Sequence, residues 1–285
     1  MITGKLSTKR RVYGGALQTF IYACVALAVA LVIGIILYIL IRGLGRLDWE
    51  FLSTARSIRL GTDGILPNII ATLYIVLTTL LIALPLGIGA AIYLCEYATN
   101  KRVVRIIEFT IEILAGIPSI IYGMVGFMFF TLTLGMSPSI LVGSLTLSIL
   151  VLPILVRTTQ EALKTVPQSY REGAFALGGT KWHIIRTIIL PSSLNGIIVG
   201  TILAIGRMVG ESAALLFTAG MSWVVITNYW EALHTPGTSL TVALFMFVTE
   251  QNRQADGFAI AALLLVIVLV LNSVMKLVRW KLRKI

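Results

Sequence analysis

The sequence predicts an all-α, polytopic transmembrane bundle of six spans, and three observations predict it. Hydrophobic residue types make up 58% of the 285 residues and charged types only 12%, whereas a soluble domain is nearer half apolar and about a quarter charged. Apolar runs of about 18 to 30 residues recur along the chain, and about 20 helical residues cross a hydrocarbon layer of roughly 30 Å. The 23 Lys and Arg outnumber the 12 Asp and Glu, and they gather between and beyond those runs rather than inside them. This composition excludes a soluble globular enzyme, a disordered chain and a secreted disulfide scaffold. On a soluble protein a formal charge of +11 would suggest nucleic acid. Here the basic residues orient helices in lipid, and no nucleic-acid partner is expected.

The elements follow in order. A basic N-terminal stretch, residues 1–15, precedes a first helix over residues 16–42. Lys5, Lys9, Arg10 and Arg11 before an apolar run superficially resemble a secretory leader. The run of about 25 residues exceeds a leader's apolar core, and no small-x-small cleavage site follows, so a retained helix is expected. The second run, residues 68–94, begins after Pro67 and contains Pro85 and Gly87, which in a membrane bundle mean a kink and close packing. The third, residues 106–134, contains Pro118, Gly123 and Gly126. A turn over 135–138 leads to the fourth, residues 139–156, with Gly143 and Pro153. The fifth, residues 184–217, is long for one helix. Pro191 is expected to divide it, with the crossing part starting near 190–195. The sixth, residues 258–278, is followed by a basic tail over 279–285. The segment 218–257 holds Trp223, Trp230, Phe245 and Phe247 around Pro236 and Gly237. It is expected either to lie on the outer surface or to dip into the membrane. Cys24 and Cys95 fall inside apolar runs, with no sign of a disulfide.

With six spans and a cytoplasmic N-terminus, seventeen of the 23 basic residues fall on the cytoplasmic side. The outer segments hold Arg42, Arg46, Arg56, Arg59 and Arg253 among comparable numbers of carboxylates. The asymmetry puts both termini inside.

Residues 160–181 interrupt the membrane pattern. Pro167 opens a short helix that Gly178 and Gly179 can end, with Tyr170, Ala174 and Leu177 on one face. Such a helix between two long spans either docks in a groove of a soluble partner or covers the end of the bundle. Glu172, Gly173, Ala174, Gly178, Ile188, Leu190 and Pro191 stand at the spacing Glu-Ala-Ala, three residues, Gly, nine residues, Ile, one residue, Leu-Pro. This resembles the permease signature of bacterial binding-protein-dependent ABC importers. Gly173 stands where Ala is usual and weakens the local helix by about 1 kcal/mol. Residues 115–123 (AGIPSIIYG) and 207–219 (RMVGESAALLFTA) also resemble the phosphate-importing branch of these permeases, the shorter of its two in particular. That branch usually has Gly-Glu-Thr-Ala-Pro-Leu where Gly210, Glu211, Ser212, Ala213, Ala214 and Leu215 stand here. Ser212 keeps the hydroxyl; Ala214 removes an expected kink.

The resemblance implies a type I importer core over residues 68–278, in the bacterial inner membrane. It implies Glu172, Gly173, Ala174 and Gly178 as contacts to an ATPase. It also implies a second permease, two ATPase subunits that carry ATP and Mg, and an extracytoplasmic phosphate-binding protein. Phosphonate or another oxyanion is the alternative solute; a membrane enzyme or a scaffold are further alternatives.

Arg207 and Glu211, four apart within an apolar run, are expected to share a helix face. They form either a static ion pair or part of a pathway, with Ser212 beside them. Glu108 and Glu112 are expected near a helix start, as dipole partners or facing a partner subunit. Pro118 and Pro191 are expected as structural bends, and Ser119 serves packing or the pathway. His183 and His234 stand apart from any ligand cluster, so no metal site is expected. No Gly-rich loop followed by Lys and Ser/Thr occurs, and no nucleophile–base–orienter group stands out. The chain is therefore expected to be non-catalytic and to hold no cofactor.

Overall fold

The computed structural model describes residues 8–57, 62–250 and 253–282. The basic N-terminal stretch and the basic tail therefore fall partly outside the described residues, as does Arg59.

Helix α1 (Thr8–Leu44) carries the first span. Its apolar middle is not buried by the rest of the chain, and Phe20, Leu27 and Leu31 stay more than half exposed. It touches the bundle near its C-terminus, where Gly43 sits against the Phe258 carbonyl and Ala262 with no room for a side chain. A short helix α2 (Trp49–Ser53) follows, capped by Asp48, which accepts the Phe51 N–H at 2.8 Å. Strands β1 (Ala55–Ser57) and β2 (Thr62–Ile65) pair antiparallel. This ribbon, unassigned in the sequence, is a minor addition to an otherwise helical fold.

Helix α3 (Leu66–Ile92) starts on Pro67 and passes through Pro85 into a π turn, Tyr93–Tyr97. Helix α6 (Ile140–Lys164) is the most enclosed span. The two pack along their length around Ile75, Ala83, Leu147, Val151 and Leu155. Gly87 makes this possible, because a Cβ there would stand 2.9 Å from Leu155 Cβ. Small residues let backbones approach when lipid offers no hydrophobic drive between helices.

Between these spans lie α4 (Lys101–Gly116) and α5 (Ser119–Gly126), the latter continuing as a π segment, Phe127–Thr133. The axis turns by 100° between them, at Ile117 and Pro118. Proline excludes its predecessor from helical geometry, and Ile117 is extended, with ψ 131°. The Tyr122 hydroxyl donates to the Leu114 carbonyl at 2.7 Å across the bend. The third expected span is thus two limbs and not one rod. Their ends join the C-terminus of α3 and the N-terminus of α6, so together they cross once.

Helix α7 (Gln168–Ala176) is followed by α8 (Lys181–Ile184), a π turn (Ile185–Ile189) and α9 (Leu190–Val209). The last three form one continuous 29-residue helix. Pro191 does not divide it, contrary to expectation. The wide turn just before Pro191 gives its ring room where a regular helix would clash. The helix stops instead at Gly210, before a short helix α10 (Ala213–Thr218).

The segment 218–257 folds into the bundle rather than over it. Helix α11 (Tyr229–Leu233) and helix α12 (Leu240–Thr249) bury Leu233, Leu240, Val242 and Phe247. At 10 residues, α12 is about 15 Å long and too short to span. Helix α13 (Gln254–Leu282) is the last span. Among the described residues five continuous helices are long and apolar enough to cross a membrane, and the bent α4–α5 pair, counted as one span, makes six.

The bundle has two distinct ends. The ribbon end gathers the C-terminus of α1 and the N-termini of α3, α6 and α13. There Arg253 bonds Asp63 at 2.9 Å and Asp256 at 2.6 Å, and Arg46 bonds Asp256 at 2.9 Å. The hydrogen bond to Asp256, reinforced by its charge, raises the Arg46 guanidinium above its ordinary pKa. The α7 end gathers the C-termini of α3 and α6 and the start of α8.

Candidate functional site

The break between α9 and α10 holds three residues singled out in the sequence. The expected shared helix face for Arg207 and Glu211 does not form, because the helix ends at Gly210. Glu211 is 7% exposed. Its Oε1 accepts the Ala214 N–H at 3.3 Å, and its backbone carbonyl accepts from Thr241 Oγ1 at 2.7 Å. The carboxylate thus satisfies an orphan donor at the start of α10, where the helix dipole also favours it. Ser212 occupies the cap position itself without a side-chain cap bond. With Ile120, Leu216, Phe217, Val242 and Phe245 it lines an apolar pocket of about 160 Å³.

Arg207 sits in the last turn of α9. It is exposed, and among the described residues it makes no ion pair with Glu211 or any other carboxylate. A cation in a last turn is favoured by the dipole, and its five donors remain available. Gly123 packs α5 onto α10, with Ala214 Cα 2.8 Å from where its Cβ would be. The bend at Pro118 and the break at Gly210 therefore face each other.

The second constellation is α7. Pro167 precedes it, and Gly178, at φ 82°, ends it. Gly178 and Gly179 donate their N–H groups to the Phe175 and Ala174 carbonyls at 2.9 and 3.1 Å, closing the helix in left-handed geometry that glycine adopts at no steric cost. Glu172 and Gly173 are exposed. The expected common face is split: Ala174 packs inward against a cluster of Leu94, Leu163, Ile184 and Ile185. Tyr170, Phe175 and Leu177 point out, Leu177 being 91% exposed.

Two residues not singled out in the sequence hold α7 in place. Arg171 donates to Glu96 of the α3 π turn and to two carbonyls at the end of α6. Nothing in the spacing pairs residues 75 positions apart.

Glu108 and Glu112 lie in the third and fourth turns of α4, not its first, since the helix begins at Lys101. Glu108 accepts from Gln160 Nε2 at 3.2 Å and stands 3.9 Å from Lys164 Nζ. These residues, with Glu112, Arg157 and Glu161, line a polar cavity of about 240 Å³. Among the described residues no three His, Cys, Asp or Glu come together as metal ligands would.

Five membrane-length helices and a bent pair among the described residues, with a capped helix outside them, make a polytopic helical membrane protein. Residues 83–284 match the family model described as "binding-protein-dependent transport system inner membrane component", and the chain belongs to that family. It is a permease component of an ABC importer. It is 36% identical over 262 residues to the "Probable ABC transporter permease protein YqgI" of Bacillus subtilis (strain 168), covering 87% of this chain and 89% of that protein. It is 29% identical over 288 residues to the "Phosphate transport system permease protein PstA 1" of Mycobacterium tuberculosis (strain CDC 1551 / Oshkosh), covering 96% and 91%. Its fold matches a chain of the MetNI methionine ABC transporter in inward-facing form, with TM-score 0.59 at 17% identity over 77% of this chain and 94% of that one.

Proposed function

We propose that this permease forms half of the translocation pathway for inorganic phosphate in a bacterial inner membrane. The carrying observation is Arg207, an exposed guanidinium at the end of a membrane helix with no carboxylate partner among the described residues. A planar fork of donors suits an oxyanion, and an arginine committed to an internal ion pair would have fewer donors and less uncompensated charge to offer. The relatives named as phosphate permeases support the same solute.

In this reading Arg207 meets the anion, Ser212 offers a hydroxyl beside the pathway, and Glu211 holds the start of α10. Glu172, Gly173, Ala174 and Gly178 form the contact with an ATPase subunit, and Pro118 shapes the broken span. The importer core covers residues 68–278, with segment 160–181 and both termini in the cytoplasm. A second permease, two ATPase subunits that use ATP and Mg, and an extracytoplasmic phosphate-binding protein complete the machine.

Reconstitution with those partners tests the reading. Radiolabelled phosphate is expected to enter vesicles only with ATP, and phosphonate should compete weakly. Arg207→Gln should abolish uptake while the complex stays assembled, and Arg207→Lys should keep part of it. Uptake of another oxyanion in preference to phosphate, or normal transport by Arg207→Gln, would overturn the assignment.

A further inference from the structure

We propose that Arg171 and Glu96 form the joint that fixes α7 to the membrane spans, and that they act as positioning residues for coupling. The inference rests on the reading of α7 as the segment an ATPase subunit grips.

Arg171 donates from all three of its guanidinium nitrogens. Nε and Nη2 donate to Glu96 Oε1 at 3.3 and 3.0 Å, Nη1 to the Val166 carbonyl at 2.7 Å, and Nη2 to the Leu163 carbonyl at 3.0 Å. The Val166 carbonyl lies just beyond the end of α6, and the Leu163 carbonyl, in its last turn, also accepts the Val166 N–H at 3.3 Å. The side chains of Arg171 and Glu96 are only 15% and 10% exposed. One side chain on α7 thus bonds both α3 and α6. A second tie reinforces it, for Lys181 at the start of α8 lies 5.0 Å from the ring of Tyr97, in the same π turn as Glu96.

The arrangement is two-faced. The outer face of α7 is free, while its inner face is bolted to three spans. A displacement applied to the free face is therefore delivered to α3, α6 and α9 together. A surface ion pair would slip under such a load, but a nearly buried, four-bond fork keeps its geometry. Without it, α7 can shift while the spans stay still.

The complete transporter, reconstituted with its partner subunits, provides the test. One readout is phosphate taken up per ATP hydrolysed. The other needs no solute: the change in backbone hydrogen exchange over residues 207–220 when ATP and vanadate trap the ATPase. For Arg171→Gln we expect an assembled complex, hydrolysis within about twofold of wild type, no exchange response, and uptake per ATP lowered by about tenfold, a typical coupling magnitude. Arg171→Lys should recover part of the ratio. Glu96→Gln keeps the carbonyl bonds and should give an intermediate loss. If Arg171→Gln does not assemble, Glu96→Gln decides. A full exchange response and an unchanged uptake ratio in Glu96→Gln and in any assembled Arg171→Gln overturn the proposal. Failure of both variants to assemble overturns it too, since the pair would then only hold the fold. A wild type that responds in exchange but takes up no phosphate refutes the solute while leaving the joint to be judged on exchange. A wild type without any exchange response refutes the coupling role of α7 and the joint with it.

Discussion

Glu211 shows how one buried carboxylate is made tolerable in a membrane bundle. It sits 7% exposed, where an ion without compensation is costly, and it meets the Ala214 N–H and the positive end of α10. This dictates its mutational signature. Glu211→Gln keeps an acceptor and should leave folding nearly unchanged, whereas Glu211→Ala orphans the donor and should cost about 1 to 2 kcal/mol. Thermal melting of the detergent-solubilised complex compares the two, and equal loss in both would mean the charge, not the acceptor, matters. At the ribbon end Asp256 has a different task, since it accepts from both Arg46 and Arg253. Asp256→Asn should weaken two charge-assisted bonds at once, at about 1.5 to 3 kcal/mol each at most. The same melting experiment should show a larger loss than Asp48→Asn, whose partner is a single backbone N–H.

Among elements, the central spans are joined through absent side chains. Gly200 of α9 faces Thr158 of α6 at a distance that admits no Cβ, and Gly196 faces Ala162 in the same way. Gly200→Val should therefore wedge α9 from α6, costing about 1 to 3 kcal/mol by overpacking. Gly89, with open space around it, is the control, and Gly89→Val should be nearly neutral. Comparable destabilisation at both sites would refute this packing account. The bend in the third span and the break after α9 belong to the same scale. Pro118 was legible as a bend because proline constrains its predecessor. The break at Gly210 was not, because an apolar run reads alike whether one helix or two carry it.

At the scale of the whole molecule the charge pattern and the chain path agree. The basic residues at 101–105, 157–164 and 171–186 lie toward the α7 end, and the balanced charges lie at the ribbon end. The proposed topology predicts that a cysteine placed at Tyr170 reacts with an impermeant thiol reagent only from the cytoplasmic side. A cysteine placed at Asp63 should react only from outside. Reversed accessibility in inverted and right-side-out vesicles would overturn the topology. Helix α1, left bare along its middle by the rest of the chain, is covered by lipid or by another subunit in any membrane assembly.

Composition and local spacing were enough for the class of fold, for the five continuous membrane-length helices and for the position of α7. Each rests on local quantities: run length, charge placement, and proline and glycine at helix ends. The sequence also carried the family signature, since those residues occupy a fixed linear spacing. The parting of Arg207 from Glu211, the 100° bend in the third span and the reach of Arg171 to Glu96 emerge only from the packed fold. The reason is physical: a side-chain pair across distant elements depends on where helices stop and how closely they pack. Those outcomes are set by contacts that local periodicity does not encode.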